Sequence, residues 1–565
     1  MTHNFWGPSL TAGNWTFRLW SPRAKQVELL LEDRPLSMTR DDSGLWSVET
    51  PAAAGNRYLF RVDGQDMPDP ASRLQAGGVS DPSVLVPPDG HDWRCDWQGR
   101  DWAEAVIYEL HVGTFTPEGT FAAAARRMAG LAELGFTAIE LMPLGQWSGD
   151  RGWGYDGVLP YAPQPAYGTP DDLKMLVDAA HQAGLMVILD LVMNHFGPEG
   201  AWLHHAAPDF FNPERHTPWG AAIDFEQPAV RDFWTGCALH WLTEYRMDGL
   251  RLDAVHQISG PGADDFMADF ATRIHALTPR RHLITEDDRN TPDLREGAGY
   301  DASWNDDFHH SIHVALTGED DSYYASFAAD PVGDLVLALS RGHVEEGQPR
   351  QGKDRPRGAP CGHLPPTAFV NSTQTHDQVG NRAHGDRLLT LADPEAVAVA
   401  YALLLVAPYI PMVFMGEERG ETNPFQFFAD YKGDLAEAVR KGRAAEFAGI
   451  AALGDTVPDP LALETFARSR LGWREDDPAR SWLGLTREAL SFRARHVVPL
   501  LKSGGMEATV TRPQPGLIRA DWQFAAGRLE LSLAFGQPDP DPLADPHLRT
   551  GRPDGPYYLT VKAHS

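Results

Sequence analysis

The stretch "PDDLKMLVDAAHQAGLMVILDLVMNH", residues 170–195, changes its period half-way along. The first part is a helical pattern closed by Gly184 as a C-cap. The second part, "MVILDLV" (186–192), is an apolar run of strand length, and it delivers Asp190, Asn194 and His195 at its far end. Similar runs occur at "VIYELHV" (106–112), "AIELMPL" (138–144), "GLRLDAV" (249–255) and "HLITE" (282–286), with weaker ones at "SWN" (303–305), "TAFVNST" (367–373) and "PMVFM" (411–415). Helical patterns such as "FAAAARRMAGLAELG" (121–135) lie between them. Strand and helix alternating about eight times predict an α/β chain built on a (β/α)8 TIM barrel.

Working outward, residues 1–90 read differently. "WTFRLWSP", "QVELLLE", "LWSVET" and "RYLFRVDG" are short, partly alternating segments separated by Gly, Pro and Asp, which predicts an N-terminal β-sandwich domain. A linker covers 87–102, and the barrel domain is expected over 91–496, ending on the amphipathic helix "RSWLGLTREALSFRARH" (480–496). A small C-terminal β domain is expected over 497–565. Two segments are too long for simple loops, from Phe196 to about Pro228 and from His309 to about Pro366. "AVAVAYALLLVAPYIPMVFM" (396–415) has the length of a membrane span, but Pro408 and Pro411 cut it into a buried helix, a turn and a buried strand.

The chain has 565 residues, 42% hydrophobic and 10% aromatic, enough for a large core and several domains. Its 78 acidic against 49 basic residues give a net charge of −29, which repels phosphate backbones and anionic lipids and points away from nucleic-acid and membrane partners. Three scattered cysteines form no disulfide framework and no zinc pattern, and the N-terminus lacks a signal-peptide pattern, so a cytoplasmic location is expected. No phosphate loop and no nucleophile elbow is present. "HHSIH" (309–313) lacks the glutamate of a zinc-protease helix, and no loop of oxygen ligands for calcium is visible, so neither metal nor cofactor is expected.

In such barrels the working residues lie at the carboxyl ends of strands. Those ends carry Asp190 and His195, then Arg251 and Asp253, then Glu286, then His376 and Asp377. Taken singly, each has a bland reading. A strand-end Asp more often caps the next helix, and a lone loop His is more often simply hydrogen-bonded. Together they match what glycosidic cleavage needs, one ionised carboxylate and one whose pKa is raised to keep its proton. "GWGYDG" (152–157) offers Trp153 and Tyr155 as sugar platforms, against the reading of a Gly-rich loop with core aromatics.

The strand ends "DLVMNH", "GLRLDAVH", "ITEDD" and "THDQ" resemble, in order, the motifs of the α-amylase superfamily of glycoside hydrolases. Within it, "YELHVGTFTPEGTF" (108–121), "RGWGYDGVLPYAPQPAYGTPDDLK" (151–174), "HDQVGNRAHGDRL" (376–388) and "FMGEE" (414–418) most resemble the maltooligosyltrehalose trehalohydrolase family. The resemblance implies cleavage of the α-1,4 bond beside the terminal trehalose of maltooligosyl trehalose, after a synthase has isomerised the glucan's reducing end. It implies Asp253 as nucleophile, Glu286 as general acid/base and Asp377 as transition-state stabiliser. Tyr155, Asp190, His195, Arg251, His256, His376 and Arg382 would bind or brace the substrate. Alternatives are a branching or debranching enzyme of the same superfamily, and a non-catalytic glucan-binding protein. Met193 stands where the family often has Tyr, and Thr375 where Asn is common.

"HLITEDDRN" (282–290) holds three successive acids. Asp287 and Asp288 would either hold Glu286 protonated through their field, or one would face the trehalose side while Arg289 pairs the other.

Overall fold

The computed structural model describes residues 6–88, 90–447 and 457–564. Eight parallel strands close into a barrel: β1 (Ile107–Leu110), β2 (Ala138–Leu141), β3 (Met186–Leu191), β4 (Gly249–Leu252), β5 (His282–Thr285), β6 (Ala302–Trp304), β7 (Phe369–Ser372) and β8 (Ile410–Phe414). All eight expected strands are present, each buried along its length as parallel strands covered on both faces must be. Ile107, Ala138, Met186, Ile188, Ile284, Ala302, Trp304, Val370, Ile410 and Met412 form one cluster of the filling.

The helix of the opening stretch spans Pro170–Gln182. Thr169 and Asp172 close a capping box ahead of it, and Pro170 sits at its first position, where no N–H is needed. Leu173, Leu176, Val177 and Ala180 form its buried stripe. Gly184, at φ +82°, turns the chain back into β3. The 121–135 pattern is divided, into Phe121–Ala125 and Met128–Leu134. The Arg127 N–H reaches the Ala124 carbonyl instead of continuing the α ladder, a local tightening at the Arg126–Arg127 pair.

The N-terminal strands form two sheets, one of four strands and one built on Arg34–Ser37, Val27–Leu31, Arg57–Val62 and Gln65–Met67. Trp15, Phe17 and Leu19 alternate inward from one, Leu29, Tyr58 and Phe60 from the other. After the barrel, the last helix (Asp477–Phe492) runs on through a π turn to a final helical segment, Val498–Ser503, and a five-stranded antiparallel sheet follows. Trp522 ties that sheet to the barrel through the Leu339 carbonyl. The apolar 396–415 stretch is a helix, Pro394–Val406, turning into β8. Among the described residues no helix is long and apolar enough to cross a membrane.

Candidate active site

Strand register places the acids side by side. Asp190 on β3 is the backbone neighbour of Arg251 on β4. The Arg251 guanidinium is wholly buried and donates to three carboxylates: Asp190 at 2.7 Å, Asp253 at 3.1 Å and Glu286 at 2.7 Å. Its other face covers the Trp304 ring of β6 at 4.0 Å. Asn194 donates to Asp253 Oδ2 at 2.7 Å and to its carbonyl at 2.8 Å, so Asp253 is held from two sides.

Ala254 follows Asp253 at φ +42°, a left-handed conformation disfavoured for a residue with a Cβ. Its N–H donates to Glu286 Oε2, 3.0 Å away. Burial pushes the Glu286 carboxyl well above its usual range; Arg251 opposes this, and Asp253, Asp377 and Asp306 reinforce it. About a fifth of the Glu286 side chain (22%) is still open to solvent, so the acid is enclosed yet reachable. Asp190 is pushed up to about 6, by burial first, with Arg251 opposing and Asp253 adding to it.

Tyr155 donates to Asp190 Oδ2 at 2.6 Å and stacks on His376 at 5.1 Å. His195 is fixed through Asn194 and the Tyr155 carbonyl, and burial lowers its pKa. Asp377 stands at the first turn of His376–Gly380, its side chain 36% exposed. Burial would raise its pKa, but His376 overcomes this and the net direction is down.

Residues 96–219 match the model of the α-amylase catalytic domain, and residues 6–83 match carbohydrate-binding module 48, the isoamylase N-terminal domain. A malto-oligosyltrehalose trehalohydrolase of Deinococcus radiodurans is 42% identical over 532 residues, covering 92% of this chain and 87% of its own. The chain belongs to the malto-oligosyltrehalose trehalohydrolase family. The namesake from Saccharolobus solfataricus is 40% identical, with 83% of each chain covered. A crystal structure of a putative alpha amylase from Salmonella typhimurium is 45% identical, with a TM-score of 0.95 over 99% of both chains.

In this trehalohydrolase-family barrel, Asp190, Arg251, Asp253 and Glu286 come together as the motifs implied. Of the two expectations for Asp287 and Asp288, the structure shows the pairing of Arg289 with one of them, Asp287. The acids that reinforce the rise of Glu286 are Asp253, Asp377 and Asp306. Arg289 grips Asp287 with two nitrogens, at 2.8 and 2.9 Å. Asp288 is exposed and pairs with Arg357 of the long insertion at 2.6 Å, while its N–H approaches His256 Nδ1 at 3.4 Å. Arg382 is likewise occupied, bound by both nitrogens to Glu319. Trp153 follows the bland reading: it is buried, stacked on Phe425, and donates to the Gln426 carbonyl. In "HHSIH", His309 is bound to Thr373 and Tyr324 and His313 to Glu319.

Thr375, the departure from Asn, caps the His376–Gly380 helix. Met193 is fully buried. Trp219 was not legible in sequence. It lies in the turn between Phe211–Thr217 and Gly220–Ile223, half exposed, with its ring stacked on His195 at 4.2 Å and 8°. Glu109 and Glu140 were also missed, although a lone acid inside an apolar four-residue strand is a usable signal.

Gly154 shapes the loop that carries Tyr155. Its φ is +105°, and a Cβ there would lie 2.3 Å from the Pro143 carbonyl oxygen. Gly154→Ala is expected to destabilise the fold by about 1–3 kcal/mol, from backbone strain plus overpacking. Chemical denaturation followed by fluorescence checks this; an unchanged midpoint contradicts it.

Proposed function

We propose that this chain is a retaining hydrolase that cleaves the α-1,4-glucosidic bond next to the terminal trehalose of maltooligosyl trehalose, releasing trehalose and a maltooligosaccharide. The observation that carries the reading is the single buried Arg251 holding Asp190, Asp253 and Glu286 at the ends of three successive strands. Asp253 is held by close donors and Glu286 is driven toward its neutral form, an arrangement that suits the division of labour in retaining cleavage.

Asp253 attacks the anomeric carbon as Glu286 passes its proton to the departing glycosidic oxygen. The resulting glycosyl ester is then hydrolysed by a water that Glu286 deprotonates, which returns both residues to their starting states. Asp377 accepts hydrogen bonds from hydroxyls of the sugar under attack. Tyr155 and His376 form the floor beneath that sugar, and His195 with Trp219 offers a second flat surface. His256 and Asp288 line the outer contacts of the substrate, while Asp287, held by Arg289, and Arg382, held by Glu319, brace that rim. The upstream partner is a synthase that converts the reducing end of a glucan into trehalose, and the location is the cytoplasm, consistent with three unpaired cysteines.

The test is to supply maltopentaosyl trehalose and, separately, amylose or glycogen, and to resolve the products by chromatography. Free trehalose from the first is expected. A remodelled polymer without trehalose release rejects the reading.

A further inference from the structure

Glu109 stands in the middle of β1, 1% exposed, and both its oxygens are committed to one residue beyond β7. Oε1 lies 2.5 Å from Nδ1 of His376, and Oε2 accepts the His376 backbone N–H at 3.1 Å. The other ring nitrogen, Nε2, lies 3.3 Å from Oδ1 of Asp377. The imidazole is therefore strung between two carboxylates, and a carboxylate can only accept. Nδ1 is hydrogen-bonded to Glu109 and Nε2 lies within ion-pair distance of Asp377, an arrangement that favours a proton on each nitrogen. The ring is 1% exposed, with Tyr155 stacked on one face and Trp153 and Trp304 at its edges.

We propose that Glu109 is a positioning residue for the reaction: it clamps His376 in one orientation as the doubly protonated imidazolium, so that Nε2–H is a fixed donor to Asp377 and to the sugar bound beside it. This rests on the proposed function for its catalytic consequence, but not for the state of the ring.

The surrounding charges agree. On β2, Glu140 is the register partner of Glu109, and burial drives its carboxyl far toward the neutral form. On β3, Asp190 is already bound to Arg251 of β4 and to Tyr155. After β1, His111 is pushed down to about 4, chiefly by burial, and so is neutral. The anions left against the ring are Glu109 and Asp377. Burial alone would strip the ring of its charge; these two overcome burial and carry its pKa well above 6.5. The reciprocal effect of His376 carries the Asp377 pKa downward.

Glu109→Gln keeps the shape and an acceptor for Nδ1–H but removes the charge. The ring pKa then falls, so the cation is lost at a lower pH as pH rises. Expected results are a kcat about 10- to 100-fold lower, the cost typical of losing a group that orients a site residue, and an alkaline limb of kcat/KM displaced to lower pH. Glu109→Asp restores the charge and recovers part of both. The ring itself is read by nitrogen NMR of histidine-labelled protein, with His376→Asn used only to assign the signal. The wild type is expected to show an imidazolium at pH 8, and Glu109→Gln a neutral ring. A neutral His376 in the wild type at pH 7 overturns the proposal, as does a Gln variant with unchanged kcat and pH profile. The wild-type measurement decides even if the variant fails to fold. It needs no substrate, so a wrong substrate assignment cannot be mistaken for failure of the clamp.

Discussion

Asp253→Asn lowers kcat on maltooligosyl trehalose by about four orders of magnitude or more. The amide is nearly the same size; its single oxygen can still accept from Arg251 while Asn194 keeps the residue's backbone carbonyl, so the fold persists. What disappears is an anionic oxygen able to form the glycosyl ester, and no neighbour can take its place. Asp190 is fully buried behind Arg251 and Tyr155. Glu286 is occupied by Arg251 and the Ala254 N–H. Trehalose release measured alongside circular dichroism checks this; a folded variant with near-normal turnover sinks the assignment of Asp253 as nucleophile.

Glu286→Gln lowers kcat by about 10²–10⁴-fold, the usual contribution of a positioned general acid. The direction of the Glu286 shift fixes the sign of the pH dependence. The acid must carry a proton to act, and its pKa in the folded chain is raised by burial and by Asp253, Asp377 and Asp306 against the pull of Arg251. Activity is therefore present below that raised pKa and is lost as pH rises through it. The Gln variant lacks the part of the alkaline limb that Glu286 sets. Its defect also shrinks on a maltooligosyl fluoride, whose leaving group needs no proton, and the glycosyl ester on Asp253 then accumulates to a level visible by intact-protein mass spectrometry. A Gln variant equally impaired on fluoride and natural substrate argues that Glu286 is not the proton donor.

The strands that set up this chemistry were legible because parallel barrel strands are short, apolar and buried on both faces, and because their carboxyl ends switch abruptly to Asp, Arg, Glu and His. The motifs sufficed to expect Asp253, Glu286 and Asp377 at one mouth, with Arg251 beside them. Spacing along the chain offered Arg289 as a partner for one of the two neighbouring acids, but carried no sign of Arg357. Asp287 and Asp288 follow Glu286 directly, yet they turn to Arg289 and to Arg357, the latter 69 residues further on. The exposed ring of Trp219 belongs to an insertion whose hairpin turn brings it over His195, and nothing in its local sequence names that partner.

The amino-acid sequence by itself determined the barrel, the flanking β segments and the acids at the strand ends, because hydrophobic period and strand-end polarity are local properties. Only the tertiary structure decided the charge state and orientation of those acids. That outcome depends on burial and on pairings between distant strands: Arg251 among three carboxylates, and Glu109 of β1 gripping His376 beyond β7. In a desolvated site, which ion meets which is set by where the closed sheet places them, and no residue carries that information alone.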